Sequence, residues 1–431
     1  MAKRINKNDP GFNDVLLATL LERNRAAENV DSVVASILEE VKERGDDALI
    51  EYTERFDGIK ICQQQLKFSA EEIASAYAKI DSDVISALKF AAQRIEKFHR
   101  HQVPKDFFYT DEVGVRLGLR WRPVDSVGLY VPGGSAAYPS SLLMNAIPAR
   151  IAGVKRVAMV IPTPKNMIDP LLLGAARFCG VDEIYRIGGA QAIGALAYGT
   201  ETILAVDKIV GPGNSYVASA KKQVFGTVGI DMIAGPTEVL IVADRDNDPE
   251  WIAIDLLAQA EHDSDAQSIL VTDDPSFADR VEDSIEEHLG GLNRREIARS
   301  SWENNGLIVI VDDLSLAPEL VDKIAPEHVE LAVDNPDDLA EKITHAGAIF
   351  LGRYTPEAVG DYVGGPNHVL PTGGSARFSS GLSVLDFLKR TSVMQCGPES
   401  LKSVGTVAIK LAELEGLGAH ARSIGIRIGK G

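Results

Sequence analysis

The chain has 431 residues, 45% of them hydrophobic and 25% charged, as is usual for a soluble globular protein. At roughly 100–200 residues per domain, this length predicts two to four domains. The net charge of −18, from 44 basic and 62 acidic residues, argues against a nucleic-acid-binding surface but still allows a local basic pocket for a phosphate.

The N-terminal stretch and the cysteines predict a cytoplasmic protein. MAKRINKNDPGFND is charged and lacks the apolar core of a signal peptide. No apolar run reaches the ~18 residues that cross a bilayer, so we expect no membrane partner. The three cysteines, Cys62, Cys179 and Cys396, form no CxxC pair. Such sparse cysteines suit a reducing compartment and argue against a disulfide framework or a thiolate zinc site.

The first part of the chain is predicted to be helical. Apolar residues recur at helix spacing from Val33 to Val41 and again from Ile73 to Ile95. Strand signals begin with SVGLYV at 126–131.

Beyond that point, short apolar runs alternate with helical segments, which predicts βαβ units and a mostly parallel sheet. The runs are RVAMVIP (156–162), EIYRIGG (183–189), KIVGPG (208–213), EVLIVAD (238–244), SILVTD (268–273), LIVIVDD (307–313) and AIFLG (348–352). They are too many for one small sheet, so we expect an α/β fold with two domains. After FLKRT (387–391) a helical pattern returns, which predicts a small C-terminal appendage.

Four glycine-rich turns fit the carboxyl ends of strands. They are YVPGGSAAYPSS (130–141), IGGAQAIGALAYG (187–199), IVGPGNSYV (209–217) and IAGPTEV (233–239). Ligands of open α/β sheets bind at the carboxyl ends of strands, and a helix N-terminus beside glycine can hold a phosphate. None of the turns has the G-x-G-x-x-G fingerprint, so the spacing leaves open both a nucleotide site and plain tight turns.

Gln259 and His262 lie three residues apart at the end of a helix predicted to begin at Asp248-Pro249, so they share one face. Imidazole is a good zinc ligand, and a carboxamide oxygen is a less usual one. By spacing alone, a solvated polar helix end is the favoured interpretation of the pair, and Glu261, Asp263 and Asp265 offer other ligands.

Two further segments carry candidate groups. In APEHVEL (325–331), the neighbouring Glu327 and His328 are able to divide acid–base work, although this dipeptide is common. The segment AVGDYVGGPNHVLPTGGSARF (358–378) holds Asp361, Asn367 and His368, and a loop so rich in glycine and proline favours a functional role. The other histidines are interpreted as structural or surface groups: His99, His101, His288 and His345.

Taken together, these segments resemble the histidinol dehydrogenase family over nearly the whole chain. The motifs are YVPGG, GGAQAIGALAYGT, VGPGN, AGPTEV, AQAEHD, APEHVEL, DYVGGPNHVLPT, GLSVLDFLK and EGLGAHA, in this order. The resemblance implies two-step, NAD-dependent oxidation of L-histidinol to L-histidine, the last step of histidine biosynthesis. It also implies a zinc-dependent cytoplasmic homodimer with one Zn2+ per subunit, built from two incomplete Rossmann-like domains with small helical terminal additions.

The resemblance also assigns residues. It implies Gln259, His262, Asp361 and His420 as zinc ligands, with His420 supplied by the partner subunit. Glu327 and His328 are the implied catalytic bases, Glu327 acting on the water that hydrates the aldehyde. Tyr130, Gln191 and Asn214 are the implied NAD-binding residues. The implied substrate-binding residues are Thr237, Gln259, His262, His328, Asp361, His368, Glu415 and His420.

The expected domains follow from the same resemblance. Residues 1–25 form an N-terminal helical extension, and residues 26–129 with 236–381 form the domain of the zinc and catalytic residues. Residues 130–235 form the NAD-binding domain, and residues 382–431 form a helical tail that completes the partner's active site.

Three alternatives remain at this stage. A relative that oxidises another amino- or sulfo-alcohol would keep Glu327 and His328 but lose groups that read an imidazole. A zinc hydrolase would use Glu327 as its base and turn over without NAD. A catalytically inactive binding protein would be expected to have lost Glu327 or His328, and both are present.

Overall fold

The computed structural model describes residues 2–22, 30–133, 139–181 and 183–429. Its strands form three sheets of six, five and three strands. In chain order the strands are β1 (Lys3–Asn6), β2 (Phe107–Thr110), β3 (Arg116–Pro123), β4 (Ser126–Tyr130), β5 (Arg156–Val160), β6 (Glu183–Tyr185), β7 (Lys208–Val210), β8 (Gly229–Ile230), β9 (Glu238–Ala243), β10 (Gln267–Thr272), β11 (Leu307–Ile310), β12 (His328–Ala332), β13 (Ala348–Leu351) and β14 (Leu388–Gln395).

The helices fall before, between and after these strands. In chain order they are α1 (Phe12–Glu22), α2 (Asp31–Arg44), α3 (Asp46–Asp57), α4 (Ala70–Ala78), α5 (Ser82–Arg100), α6 (Pro139–Ala152), α7 (Pro170–Phe178), α8 (Gly189–Tyr198), α9 (Ser215–Val224), α10 (Pro249–Ala260), α11 (Pro275–Leu289), α12 (Arg295–Asn305), α13 (Ala317–Ile324), α14 (Pro336–Ala340), α15 (Glu357–Tyr362), α16 (Pro398–Leu414) and α17 (Gly418–Gly425). In the part of the chain with described structure, no helix is both long and apolar enough to cross a bilayer.

The five-stranded sheet has the order β6-β5-β4-β7-β8 and is parallel throughout. Its strands are short and β-branched, and helices cover both faces, as parallel strands require. One face packs against α4 to α7. The other packs against α2, α3, α8 and α9.

The six-stranded sheet has the order β1-β11-β10-β9-β12-β13 and is also parallel. Helices α10, α11 and α12 pack on one face. Helices α1 and α13 and the short α14 pack on the other. A third, antiparallel sheet has the order β14-β3-β2. The predicted α/β fold with two incomplete Rossmann-like sheets and terminal additions is therefore confirmed.

The packing differs from the expected domain division in three places. Residues 31–100 were expected with the catalytic sheet, but their apolar faces pack against the five-stranded sheet, which already begins at Ser126. The expected helical extension at 1–25 includes the strand β1, and the expected helical tail at 382–431 includes β14. Helical periodicity identifies an apolar face, but not the sheet that this face will cover. The division into domains itself remains a proposal.

The two parallel sheets present opposite ends to the predicted site. Tyr130 ends β4, and Gly211 follows the carboxyl end of β7. Thr237 and His328, by contrast, lie at the amino ends of β9 and β12. The turn 233–239 was expected at a carboxyl end like the other three, and it lies at an amino end instead, because it precedes its strand rather than following it.

Candidate active site

A cavity of about 530 Å³ lies at the amino ends of β9 and β12. Its lining collects most of the predicted catalytic and substrate-binding residues: Thr237, His262, Glu327, His328, Asp361 and His368. The structure therefore brings together side chains that are up to 131 positions apart in the sequence, from Thr237 to His368. A concave pocket with convergent polar groups is the usual form of an active site.

Helix α10 ends at this cavity, as the sequence predicts. It begins at Pro249, and the Asp248 side chain caps it by accepting the Glu250 amide N–H at 3.0 Å. Gln259 lies in the last turn, and the His262 amide N–H donates to the Gln259 carbonyl at 3.2 Å. The imidazole of His262 follows directly and places Nε2 3.9 Å from Oδ2 of Asp361.

A chain of hydrogen bonds fixes the Gln259 carboxamide. Gln259 Nε2 donates to Thr237 Oγ1 at 2.8 Å, and Thr237 Oγ1 donates to Glu327 Oε2 at 2.5 Å. When Glu327 is ionised, its carboxylate only accepts, so the hydroxyl hydrogen points to it and the amide N–H₂ points to the hydroxyl. Oε1 of Gln259 is then left buried without a hydrogen-bond partner among the described residues. Such an orphaned acceptor is costly unless a cation or another donor binds it.

Glu327 and His328 are buried where the chain enters β12. Glu327 Oε2 also accepts the Glu238 amide N–H at 3.0 Å. Burial raises the pKa of Glu327 to about 8, although the hydrogen bonds from Thr237 and Glu238 oppose this rise. A carboxylate with such a pKa is able to exchange protons near neutral pH.

The His328 ring is held in one tautomer. Its Nδ1 lies 3.0 Å from the Glu238 carbonyl oxygen, which only accepts, so Nδ1 carries the hydrogen. Nε2 is then the basic nitrogen, and it lies 3.7 Å from Oε1 of Glu357. The arrangement leaves Nε2 as the atom that takes a proton.

Asp361 lies on the short helix α15, rather than on the loop to which we assigned it, and His368 follows in the loop. His368 Nδ1 donates to the Asp361 carbonyl at 3.0 Å and lies 3.5 Å from its Oδ1. Burial raises the pKa of Asp361, but His368, His328 and His262 outweigh burial, and the pKa is lowered. Burial lowers the pKa of His262, which Asp361 opposes only in part. An ionised carboxylate beside a neutral imidazole is the state that binds a metal ion.

Glu357, beside His328, and two carboxyl groups near Glu357 were not predicted from the sequence. Glu357 is buried, and burial raises its pKa to about 7. Its amide N–H donates to Oε1 of Glu330 at 2.5 Å, and burial raises the pKa of Glu330 as well. Burial raises the pKa of Asp255 to about 6. A usable signal existed for Glu357, since it lies four residues before Asp361 on one helix face.

The same region offers a second set of metal ligands. Ligand atoms of His328, Glu357 and Asp361 all lie within 4.8 Å of one another. This set shares only Asp361 with the predicted zinc ligands. Of the other ligands that the sequence offers, Glu261 and Asp263 also line the cavity. Asp263 and Asp265 lie in an exposed turn, where the Asp265 amide N–H donates to Oδ1 of Asp263 at 3.0 Å.

The predicted NAD-binding residues line a second cavity of about 750 Å³: Tyr130, Gln191 and Asn214. The Gly189 amide N–H, at the start of α8, donates to Tyr130 Oη at 3.1 Å. Asn214 caps α9 by accepting the Val217 amide N–H at 3.2 Å. Gln191 is buried, and its Oε1 has no partner among the described residues. Part of the turn at 130–141, residues 134–138, lies outside the described residues.

The two cavities share part of one wall. Pro132, Gly213 and Asn214 line both. Glu415 and His420 line neither, and both are exposed at the end of α16 and on α17. Within one chain, the structure therefore does not bring these two predicted residues to the site.

Comparison with known proteins identifies the family. The sequence pattern of the histidinol dehydrogenase family matches residues 21–428. The chain belongs to the histidinol dehydrogenase family. It is 59% identical to histidinol dehydrogenase of Rhodospirillum rubrum, with all of both chains covered, and 57% identical to that of Rhizobium meliloti, with 100% and 99% covered. The crystal structure of histidinol dehydrogenase from Elizabethkingia anophelis superposes with a TM-score of 0.93 at 37% identity, covering 99% of this chain and 98% of that one.

Membership of the histidinol dehydrogenase family confirms the resemblance drawn from the motifs. The known role of this family is histidine biosynthesis, and its members are oxidoreductases. The hydrolase and the inactive binding protein are therefore set aside. In the structure, His328, Glu357 and Asp361 form a group of side chains that could hold a metal ion.

Proposed function

We propose that the chain oxidises L-histidinol to L-histidine in two steps, using two NAD+ and one Zn2+ per subunit. The observation that carries the proposal is Oε1 of Gln259, which is buried beside Thr237 and Glu327 and has no hydrogen-bond partner in the described part of the chain. The amide nitrogen of Gln259 is hydrogen-bonded, so this oxygen is available to a cation. Through Thr237, the same amide is connected to Glu327, the proposed base of the second step.

The residues present fit a zinc ion. His262 and Asp361 lie 3.9 Å apart, and Gln259 adds a neutral oxygen, so one chain supplies three N and O ligands. Bound zinc would hold and orient the substrate, and NAD+ would take up one hydride in each oxidation. Manganese or cobalt would also suit such a ligand set.

His328 is the base of the first oxidation in this proposal. Its Nε2 takes the proton of the alcohol's hydroxyl group while the carbon that bears this hydroxyl loses a hydride to NAD+. The product is an aldehyde. The hydrogen bond from Nδ1 to the Glu238 carbonyl makes Nε2 the basic nitrogen of the neutral ring and holds the ring in the wall of the cavity. After each oxidation the proton must leave Nε2, and the carboxyl group of Glu357, whose Oε1 lies 3.7 Å away, is able to accept it.

Glu327 prepares the second oxidation. An aldehyde has no hydroxyl hydrogen to lose, so water must add first and form the hydrate. Glu327 removes a proton from that water with the carboxylate oxygen that Thr237 and Glu238 leave free. His328 then takes the hydroxyl proton of the hydrate as the second hydride leaves, which gives the acid.

The second cavity is the proposed NAD site. It contains the N-terminal end of α8 with its glycines, and Tyr130, Gln191 and Asn214 around it. Since Asn214 also lines the first cavity, a cofactor seated here is able to reach substrate across the shared wall. Thr237, Asp361 and His368 are the proposed substrate contacts of the same chain.

We further propose that the enzyme is a cytoplasmic homodimer with a shared site. Glu415 and His420 are exposed in a terminal helical pair, and His420 is the fourth zinc ligand implied by the family resemblance. A tail that reaches the partner subunit would deliver both residues to the partner's cavity. The free cysteines among the described residues, Cys62, Cys179 and Cys396, suit a reducing compartment.

The test counts NADH formed per L-histidinol consumed by the purified protein, with and without a chelator. Two NADH per histidinol, lost on chelation and restored by zinc, is the expected result. Turnover without NAD+ would contradict the proposal, and so would activity that survives full removal of metal.

The ligand set is tested by metal content. Q259A should lower zinc occupancy, because it removes the orphaned oxygen. E357Q should leave occupancy unchanged, since Glu357 belongs only to the alternative set with His328. Loss of zinc from E357Q with retention in Q259A would assign the metal to His328, Glu357 and Asp361.

A further inference from the structure

A buried ion pair lies beneath the wall between the two cavities. Lys221 on α9 pairs through Nζ with Oδ1 of Asp231, which follows β8, and their side chains are 2% and 1% exposed. Removing two charges from water costs free energy that their attraction often only just offsets, so a buried pair is weak support for stability alone. The role of the pair is therefore better inferred from the groups to which Lys221 and Asp231 donate or from which they accept hydrogen bonds.

Both partners bind the backbone of the same residue. Lys221 Nζ donates to the Gly211 carbonyl at 3.0 Å, and the Gly211 amide N–H donates to Oδ2 of Asp231 at 2.8 Å. Asp231 Oδ1 also accepts the Met232 amide N–H at 2.6 Å. The pair thus joins the turn at 211–214 to the segment that leads from β8 towards Thr237.

Gly211 is held in a conformation that other residues avoid. Its φ is +115°, and a Cβ at this position would come within 2.1 Å of the Tyr130 carbonyl oxygen. The glycine thus lets the turn pass close to the end of β4, where Tyr130 lies. Charge-assisted hydrogen bonds on both of its backbone groups then fix the turn in place.

We propose that Lys221 and Asp231 are positioning residues for the cofactor. They hold the turn at 211–214 so that Asn214 stands in the wall between the cofactor cavity and the substrate cavity. The inference rests on the proposed function, because it takes the 750 Å³ cavity as the NAD site. Both residues border the substrate cavity, but with their charges paired to each other they serve the turn rather than the substrate.

The test measures equilibrium binding of NADH, by fluorescence, to zinc-loaded K221M, D231N and the double variant K221M/D231N. We expect each to bind NADH about tenfold more weakly, which lies within the roughly 10²-fold that a misplacement of about 1 Å can cost. The KM for NAD+ should rise more than the KM for histidinol. K222M is the matched control, because Lys222 is the next residue on α9 and its pair with Asp31 is exposed.

Thermal unfolding separates positioning from mere stability. Each single variant leaves one buried charge unpaired and should unfold at lower temperature, whereas the neutral double variant should recover much of the loss. Its NADH affinity should stay low, because Gly211 still lacks its ionic partners. The inference would be overturned if K221M/D231N recovered its affinity for NADH together with its stability. Failure of the wild-type protein to bind NADH would instead contradict the proposed function.

Discussion

At the scale of single residues, the site separates two bases that are neighbours in sequence. Glu327 and His328 point to different partners: Glu327 to Thr237 and the Glu238 amide, His328 to the Glu238 carbonyl. The alternation of side chains at the start of a strand gives them these different surroundings. Two proton acceptors with separate supports suit a reaction that removes protons from two different species.

We expect E327Q to impair the oxidation of the aldehyde much more than the oxidation of the alcohol. Glutamine keeps the size and the contact with Thr237, but it cannot take a proton from water. A loss of about 10²–10⁴-fold in the aldehyde step is the range for a general base. Single-turnover NADH formation from histidinol and from histidinaldehyde measures the two steps separately. Equal loss in both would remove the role assigned to Glu327, and H328A, expected to impair both, is the comparison.

His99 shows how a residue outside the site supports it. It is fully buried, so its interpretation as a structural residue is confirmed. Its Nδ1 donates to the Ile95 carbonyl at 2.8 Å, and its Nε2 accepts from Asn367 Nδ2 at 3.3 Å. Asn367 immediately precedes His368, so α5 and the site loop are joined through a neutral imidazole.

Burial lowers the pKa of His99 below its ordinary value of 6.5. The unfolded chain therefore gains this proton at a higher pH than the folded chain. The stability that His99 contributes is present above the unfolded pKa and is lost as pH falls towards the folded one. We expect the free energy of unfolding to fall more steeply between about pH 7 and pH 5 in the wild type than in H99Q. H101Q is the control, since His101 is exposed, and equal slopes in wild type and H99Q would contradict the prediction.

The site was predictable from sequence only through the resemblance to a family. By spacing alone, Gln259 and His262 are indistinguishable from a solvated helix end, and the pair Glu327-His328 is common. What distinguishes them is the contact of Gln259 with Thr237, 22 positions away, which no local pattern contains. Glu415 and His420 give no local signal either, since they lie in an exposed tail.

At the scale of elements, the site loop depends on one backbone conformation. Arg94 on α5 donates to the carbonyls of Val363 and Gly364, the latter at 3.1 Å. Gly365 follows with φ of +110°, and a Cβ there would come within 3.3 Å of the Arg94 carbonyl oxygen. Helix α5 therefore sets the path of the loop from Asp361 to His368.

We expect G365A to destabilise the protein by about 1–3 kcal/mol, the cost of a side chain in such a backbone region. The KM for histidinol should rise, because the loop carries His368. Thermal unfolding and steady-state kinetics measure the two effects. G290A is the control, since Gly290 has φ of −61° and a Cβ there would meet only an ordinary contact at 3.7 Å. If G365A and G290A had similar stabilities and similar KM values for histidinol, the positive φ of Gly365 would not be what sets the path of the loop.

Most elements of the two parallel sheets were predictable, since buried strands read as short β-branched runs between helices. The start of α10 was also predictable, because Asp248 and Pro249 form a clear cap. The antiparallel sheet was not. Strand β3 is only partly buried, and β14 alternates weakly, so their sequences carry little apolar pattern. Their pairing joins positions near 120 and 391, a distance that periodicity does not bridge.

At the scale of the whole molecule, the shared-site proposal makes a strict prediction about mixed subunits. H262A and H420A should each lower zinc content and activity. When the two inactive proteins are dissociated together and reassociated, each heterodimer should have one site with both defects and one intact site. If subunits mix at random, half of the dimers are heterodimers, and one of the two sites in each is intact. About a quarter of the wild-type activity should therefore return. Unchanged zinc in H420A, or no recovered activity from the mixture, would contradict sharing.

The first strand has a consequence for handling the protein. β1 covers the outer edge of β11, whose four residues, Leu307 to Ile310, are all buried. Without β1, a row of unpaired amide and carbonyl groups on an apolar strand would face outward, and such an edge is a template for aggregation between molecules. A variant that lacks the residues up to Asn6 should therefore scatter light and precipitate at concentrations at which the intact chain stays dispersed. An intact N-terminal strand thus protects this sheet against polymerisation.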